Sequence, residues 1–258
     1  MPEQGNAPEK PRVGLFVTCL VDSIRPNVGY AALALLEATG CAVEIPLAQT
    51  CCGQPAYNSG ADKATKPLAK AVIETFEPYD YLVAPSGSCA GMIKAHYPEL
   101  FADDPLWRKR AEKLAAKTHE LLSFLVDLRG FRPRNVLCEA SAAYHDSCAG
   151  LRELGVKAQP RALLGAVEGL ELRPLEGEET CCGFGGTFSV KYSDISAAIV
   201  GEKARNVEAS GADLLLGGDL GCLINMAGKL RRDGARTRVF HAAEILAGMA
   251  DRAIGEET

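Results

Sequence analysis

No run of the 258-residue sequence is long and apolar enough to cross a bilayer, and residues 1–11 are polar and proline-rich where a secretory leader needs an apolar centre. A cytoplasmic protein with a short disordered tail over 1–11 is expected. Positive charge is also in short supply: 28 Lys and Arg stand against 33 Asp and Glu, a net charge of −5. Nothing in that balance draws a phosphate backbone or an anionic lipid, so nucleic acid is not an expected partner.

Cysteine, by contrast, is plentiful, with ten residues in the chain. A reducing compartment keeps such thiols free, which turns attention from structural disulfides to metal binding or redox chemistry. Eight of the ten form a repeat. Cys19, Cys51–Cys52 and Cys89 are separated by 31 and 36 residues, and Cys148, Cys181–Cys182 and Cys222 by 32 and 39. Each adjacent pair is followed by glycine, Gly53 or Gly183. Chance rarely supplies such agreement at four positions, so the chain is read as a duplication with a first lobe over 12–134 and a second over 135–258.

Short apolar, β-rich runs precede these cysteines: 13–17 before Cys19, 42–46 before Cys51, 81–85 before Cys89, and 142–145, 170–172 and 214–216 in the second half. Helical patterns at 28–39, 61–76, 194–210 and 242–253 separate the strands, and Cys89 is expected at the start of a further helix reaching Lys94. The alternation predicts an α/β fold of two similar βαβ-type lobes related by pseudo-twofold symmetry, each with a parallel sheet and its own Cys-Cys-Gly motif. Right-handed crossovers bring successive strand C-termini to one sheet edge, where open α/β sheets bind ligands. Four thiols distant in sequence can meet there.

Four uses of the thiols stand side by side. Packing accounts poorly for cysteines at loop positions, but it suits Cys41 and Cys138, which lack repeat partners and sit in apolar runs. A vicinal disulfide closes a strained ring in a reducing compartment. Zinc matches a count of four thiolates, yet adjacent cysteines chelate one tetrahedral ion awkwardly. An iron–sulfur cluster presents several irons, so neighbouring thiolates each find a metal, and the flanking glycines let backbone N–H groups approach sulfur.

The pattern C…CCG…C-x-x-C resembles that of the cysteine-rich "CCG" proteins: the cysteine-rich subunit of heterodisulfide reductase, the iron–sulfur subunits of glycolate oxidase and anaerobic glycerol-3-phosphate dehydrogenase, and the lactate-utilisation protein A family. The chain is most similar to the last, through Phe16-Val17-Thr18-Cys19-Leu20-Val21-Asp22, Cys51-Cys52-Gly53-Gln54-Pro55-Ala56-Tyr57, Cys181-Cys182-Gly183-Phe184-Gly185-Gly186-Thr187 and Gly221-Cys222-Leu223-Ile224-Asn225. Nothing before Cys19 resembles the ferredoxin segment of the glycolate and glycerol-phosphate enzymes.

The resemblance implies an iron–sulfur electron-transfer component of a cytoplasmic system oxidising L-lactate to pyruvate. Its partners would be further lactate-utilisation subunits, among them a ferredoxin-type iron–sulfur protein, with lactate handled at the level of the complex. It also implies Cys19, Cys51, Cys52, Cys89, Cys148, Cys181, Cys182 and Cys222 as ligands of iron–sulfur clusters, of [4Fe–4S] type and one per lobe at most. The sequence departs from the full motif where the first cysteine of C-x-x-C would stand: Ser86 and Asp219 occupy those places. Four thiols per half suit a cubane, Asp219 is a candidate oxygen ligand, and disulfide-cleaving chemistry of the heterodisulfide reductase kind becomes an alternative, as does a zinc-stabilised scaffold.

Among other residues, His145 precedes Cys148 with no matching histidine before Cys19, and is read as a supporting or structural residue that could also ligate metal. His241, at an expected strand-to-helix junction, is read as a helix-start or interior residue. Lys191 and Arg152 lie beside cysteine loops, and Lys229, Arg231, Arg232, Arg236 and Arg238 are read as a solvated basic face.

Overall fold

A computed structural model of the chain describes residues 10–256. The expected tail, apart from residues 10 and 11, lies outside the described residues. Two four-stranded parallel sheets follow one another along the chain. The first contains β1 (Arg12–Leu15), β2 (Ala42–Glu44), β3 (Tyr81–Ala84) and β4 (Thr118–Glu120), in the order β2-β1-β3-β4. The second contains β5 (Leu137–His145), β6 (Glu168–Arg173), β7 (Leu214–Gly217) and β8 (Arg238–His241), in the order β6-β5-β7-β8. The same order twice is what the cysteine repeat predicts.

Parallel pairing needs a crossover between strands, and helices supply it: Pro26–Ala38, Asp62–Phe76 and Pro105–Ala116 in the first lobe, Ala158–Leu164, Ser193–Ala209 and Leu220–Asp233 in the second. From β1 the chain goes to β2 on one side and then to β3 on the other, so strand order reverses at β1, and likewise at β5. Loops leaving the C-terminal ends of strands at such a switch point open into a crevice. Those loops carry Cys19 and Cys89 in the first lobe, and Cys148 and Cys222 in the second.

The fourth strand of the first sheet was not expected, that of the second ends at the expected strand-to-helix junction at His241, and the helix expected over 242–253 ends at Leu246, where Gly248 takes a left-handed φ of 66° after the last turn. The helix expected from Cys89 to Lys94 is a Gly87–Gly91 α-helix running into a π-helical turn, Met92–His96. Cys41 is buried just before β2, whereas Cys138 is half-buried on β5 beside a register shift between Leu137 and Ala140.

The lobes share a core. Val13, Leu15, Leu36, Val83 and Phe124 of the first pack into one buried cluster with Ala142, Tyr144, Leu164, Leu216 and Phe240 of the second. The Pro26–Ala38 helix lies on Ala242–Leu246, and its counterpart Ala158–Leu164 lies on Leu121–Ser123, so each lobe covers the other. Residues at a pseudo-twofold axis meet their own counterparts. Ser86 and Asp219, each three residues before the last cysteine of its repeat, do so: Ser86 Oγ donates to Asp219 Oδ2 at 3.1 Å, and the Ser88 N–H donates to the same oxygen at 2.9 Å.

Candidate metal centres

Four helix starts hold four of the cysteines. Thr18 caps the Cys19–Ile24 helix by accepting the Val21 N–H at 3.3 Å, and Ser147 caps Cys148–Leu154 by accepting that of Gly150 at 3.3 Å. Ser86 accepts the Cys89 N–H at 3.3 Å, and Asp219 Oδ1 accepts the Gly221 N–H at 3.2 Å. The caps therefore fix where each helix begins and put Cys19, Cys148, Cys89 and Cys222 in the first turn.

The adjacent pairs sit in tight loops closed by glycine. Gly53 has φ 84° and Gly183 φ 80°, and each donates its N–H to the sulfur two residues earlier, at 3.4 Å to Cys51 and 3.3 Å to Cys181. The left-handed conformation is costly for any residue with a Cβ. The carbonyl of the second cysteine is held in both loops: Tyr97 Oη donates to that of Cys52 and Asn225 Nδ2 to that of Cys182, each at 2.8 Å.

In the first lobe the thiols converge. Cys19 and Cys51 lie 3.8 Å apart and Cys52 and Cys89 3.4 Å, sulfur to sulfur, and all four border one cavity of about 230 Å³. The second lobe supplies part of its wall, through Phe184, Gly186, Val190 and Leu220. In the second lobe Cys148 acts on Cys181, Cys181 on Cys182, and Cys182 on Cys222. Cys52, Cys89, Cys182 and Cys222 are buried, Cys51, Cys148 and Cys181 are half-buried, and Cys19 is exposed.

Such crowding separates the acidities. Cys51 is drawn down to about 2, first by the Cys19 thiol and then by Cys52, with the Gly53 N–H adding to them; Cys181 falls to about 2 through Cys148, Cys182 and Gly183. Their neighbours go the other way: bonding to Cys51 and burial raise Cys19 and Cys52, and bonding to Cys181 and burial raise Cys148. Four thiolates cannot coexist in so small a volume without cationic compensation. A bound metal would supply it, and the donor set fits one.

Asp219, the candidate oxygen ligand, lies at the lobe contact with both oxygens already accepting hydrogen bonds. His145 is buried, with both ring nitrogens outside ordinary hydrogen-bond geometry, and one of them lies with the Cys182 and Cys222 sulfurs in a group within 4.8 Å of one another. Burial lowers its pKa to about 3, keeping the ring neutral, while the Glu178 carbonyl acts in the opposite sense. His241 is buried and caps the last helix, its Nδ1 accepting the Ala243 N–H at 3.1 Å. Lys191 and Arg152 are exposed, and Arg152 borders a shallow opening over Cys181. In the basic stretch, Lys229 pairs with Asp233 and Arg238 with Glu256.

Two residues escaped the sequence reading. Lys203 is fully buried, donates to the carbonyls of Gly177 and Glu178 at 2.5 and 2.9 Å, and is lowered to about 8 by burial, against the pull of Cys182. Glu120, buried at the end of β4, is raised to about 7 by burial although Oε2 accepts the Ser123 N–H. Neither shows in sequence, because each is one charged residue among many and only the packing of the fold buries it.

The duplicated fold with a Cys-Cys-Gly loop in each lobe defines a tandem cysteine-rich protein, and the cysteine-rich domain called CCG matches residues 13–94 and 142–227. Curated relatives carry the similarity over almost the whole chain. Lactate utilization protein A of an Exiguobacterium species is 52% identical over 238 residues, 92% of this chain and 97% of the relative. That of Halalkalibacterium halodurans is 51% identical over 235 residues, 91% and 96% of the two chains. The chain belongs to the lactate utilization protein A family. Among solved structures, a hypothetical protein from Helicobacter pylori superposes with a TM-score of 0.66 at 12% identity, covering 99% of this chain and 52% of that one. The chain thus spans about half the length of that protein, and the likeness is one of fold.

Proposed function

We propose that the protein is an iron–sulfur electron-transfer component of lactate utilisation, serving the oxidation of L-lactate to pyruvate in the cytoplasm. The observation that carries this reading is the meeting of four thiols at the loop edge of each sheet, in a chain whose curated relatives are named for lactate utilisation. Cys19, Cys51, Cys52 and Cys89 would hold one centre, and Cys148, Cys181, Cys182 and Cys222 the other. An iron–sulfur cluster supplies one-electron chemistry when bound. The protein's own residues would orient it: the Gly53 and Gly183 N–H groups donate to sulfur, and the capped helix starts fix the positions of Cys19 and Cys148. Asp219, with its oxygens committed, ties the lobes together.

Each quartet has an accessible side, Cys19 in the first lobe and the Cys181 opening in the second, which gives partners a place to exchange electrons. A ferredoxin-type iron–sulfur protein and other lactate-utilisation subunits are the partners of this reading, and no helix among the described residues is long and apolar enough to cross a membrane.

A zinc-stabilised scaffold is the second reading, favoured by one observation: the sulfur separations of 3.8 and 3.4 Å come close to the edge of a zinc–thiolate tetrahedron built on bonds of ~2.3 Å. Against it stand the adjacent cysteines and the N–H donors aimed at sulfur. A disulfide-cleaving reductase is favoured less, since Ser86 and Asp219 stand where the motif's further cysteines would be and are bonded to each other. Reconstitution with candidate partner subunits and a lactate-to-pyruvate assay tests the proposal. Turnover that needs this subunit and collapses in Cys51→Ser and Cys181→Ser is expected; turnover indifferent to both variants refutes it.

A further inference from the structure

The two quartets are not alike, because their surroundings break the symmetry of the repeat. Three residues before Cys148 stands His145, and three before Cys19 stands Phe16; both side chains are buried. Phe16 is satisfied there, packed against Phe76 with ring centroids 5.5 Å apart. His145 is not satisfied by the protein. Neither ring nitrogen makes a hydrogen bond of ordinary geometry, whereas the similarly buried His241 has Nδ1 engaged by the Ala243 N–H. Buried polar atoms without partners are rare in folded chains and call for an explanation at the spot. Here one ring nitrogen, Cys182 Sγ and Cys222 Sγ all lie within 4.8 Å of one another, a spacing at which one ion reaches all three.

We propose that His145 is a metal ligand, so that the second lobe holds a centre of mixed imidazole and thiolate donors while the first lobe holds a thiolate-only one. The inference rests on the metal-centre reading above but not on which metal is bound. A ligating histidine is ordinarily oriented by a carbonyl or carboxylate at its other nitrogen, and the Glu178 carbonyl, which acts on the ring though outside hydrogen-bond geometry, is the group that metal binding would draw into that role. Lys203 deepens the asymmetry, since the position 130 residues earlier is Ile73.

The test uses anaerobically purified full-length protein, first assayed for iron, zinc and acid-labile sulfide. If iron and sulfide are present, pulsed electron paramagnetic resonance of the reduced protein is recorded with natural-abundance and ¹⁵N-labelled histidine; the chain has only four histidines. A strong nitrogen coupling that changes with the isotope, persists in Cys51→Ser and is lost in His145→Phe is expected. Absence of histidine coupling in the wild type, or its survival in His145→Phe, overturns the inference. The isotope comparison needs no variant, so a misfolded His145→Phe does not spoil it. If zinc replaces iron and sulfide, the electron-transfer reading fails on its own, and X-ray absorption at the zinc edge of Cys51→Ser decides this one. A nitrogen at ~2.0–2.1 Å beside sulfurs at ~2.3 Å supports it, and a sulfur-only shell refutes it.

Discussion

Replacing Gly183 by alanine combines two penalties that other glycines of the chain carry singly. Its φ of 80° is left-handed, and an added Cβ would stand 2.8 Å from the Ser196 carbonyl oxygen, a backbone atom that cannot swing aside. The conformational part alone is represented by Gly40, with φ 81° and nothing within 4 Å of the added carbon. A β-carbon in that region costs about 1–2 kcal/mol. The steric part alone is represented by Gly87, whose φ is ordinary but whose Cβ would lie 2.8 Å from Gly150 Cα and 2.9 Å from its nitrogen, where the two lobes touch. Overpacking of that kind costs about 1–3 kcal/mol. Gly183→Ala should therefore lose about 2–5 kcal/mol, the two penalties together. Gly53→Ala should lose less, because the nearest atom to its Cβ is the Thr65 methyl at 3.0 Å, with Leu68 at ordinary contact distance. Urea unfolding midpoints at fixed metal load, with unchanged slopes, measure the series. If Gly183→Ala proves no less stable than Gly40→Ala, the loop is not held against the Ser193–Ala209 helix as described.

Two more predictions concern buried polar groups. Asp219→Ala removes the acceptor for Ser86 Oγ and for the N–H groups of Ser88 and Gly221, so denaturant titration should show a loss of about 1–3 kcal/mol for each donor left unpaired, and Ser86→Ala a smaller one. An Asp219→Ala protein as stable as wild type would contradict the lobe tie. Glu120, raised to about 7 by burial, binds its proton more tightly folded than unfolded, so it favours the fold below its unfolded pKa and loses that contribution as pH rises towards 7. Glu120→Gln should flatten the fall in stability between about pH 4.5 and 7, seen by thermal unfolding across pH; an unchanged slope would refute the assignment.

Strands that end just before a cysteine were readable because their apolar runs are β-rich, as at β1 and β3, and the repeat placed the others by correspondence. β4, Thr-His-Glu, was not, being three residues long with no apolar run, whereas β8 was expected only through the strand-to-helix junction at His241. Arg238, read as part of a solvated basic face, begins β8 with its guanidinium over the Phe240 ring, 5.0 Å from the centroid. The thiol quartets were legible because a duplicated spacing marks them. The lobe contact was not: Ser86 and Asp219 are 133 residues apart, and only the fold shows that the places left by missing cysteines meet. Lys203 lies in a helix whose other charged residues face solvent, so nothing local distinguishes it, and His145 gained its meaning only when both ring nitrogens proved unpartnered beside Cys182 and Cys222.

The central claim, that each lobe gathers its thiols around a polymetallic centre, is tested most directly by iron, zinc and acid-labile sulfide content after anaerobic purification of wild type, Cys51→Ser and Cys181→Ser. Iron and sulfide in comparable amounts, falling by about half in each variant, are predicted from one four-thiol site per lobe. Stoichiometric zinc with no sulfide in the wild type would contradict the claim.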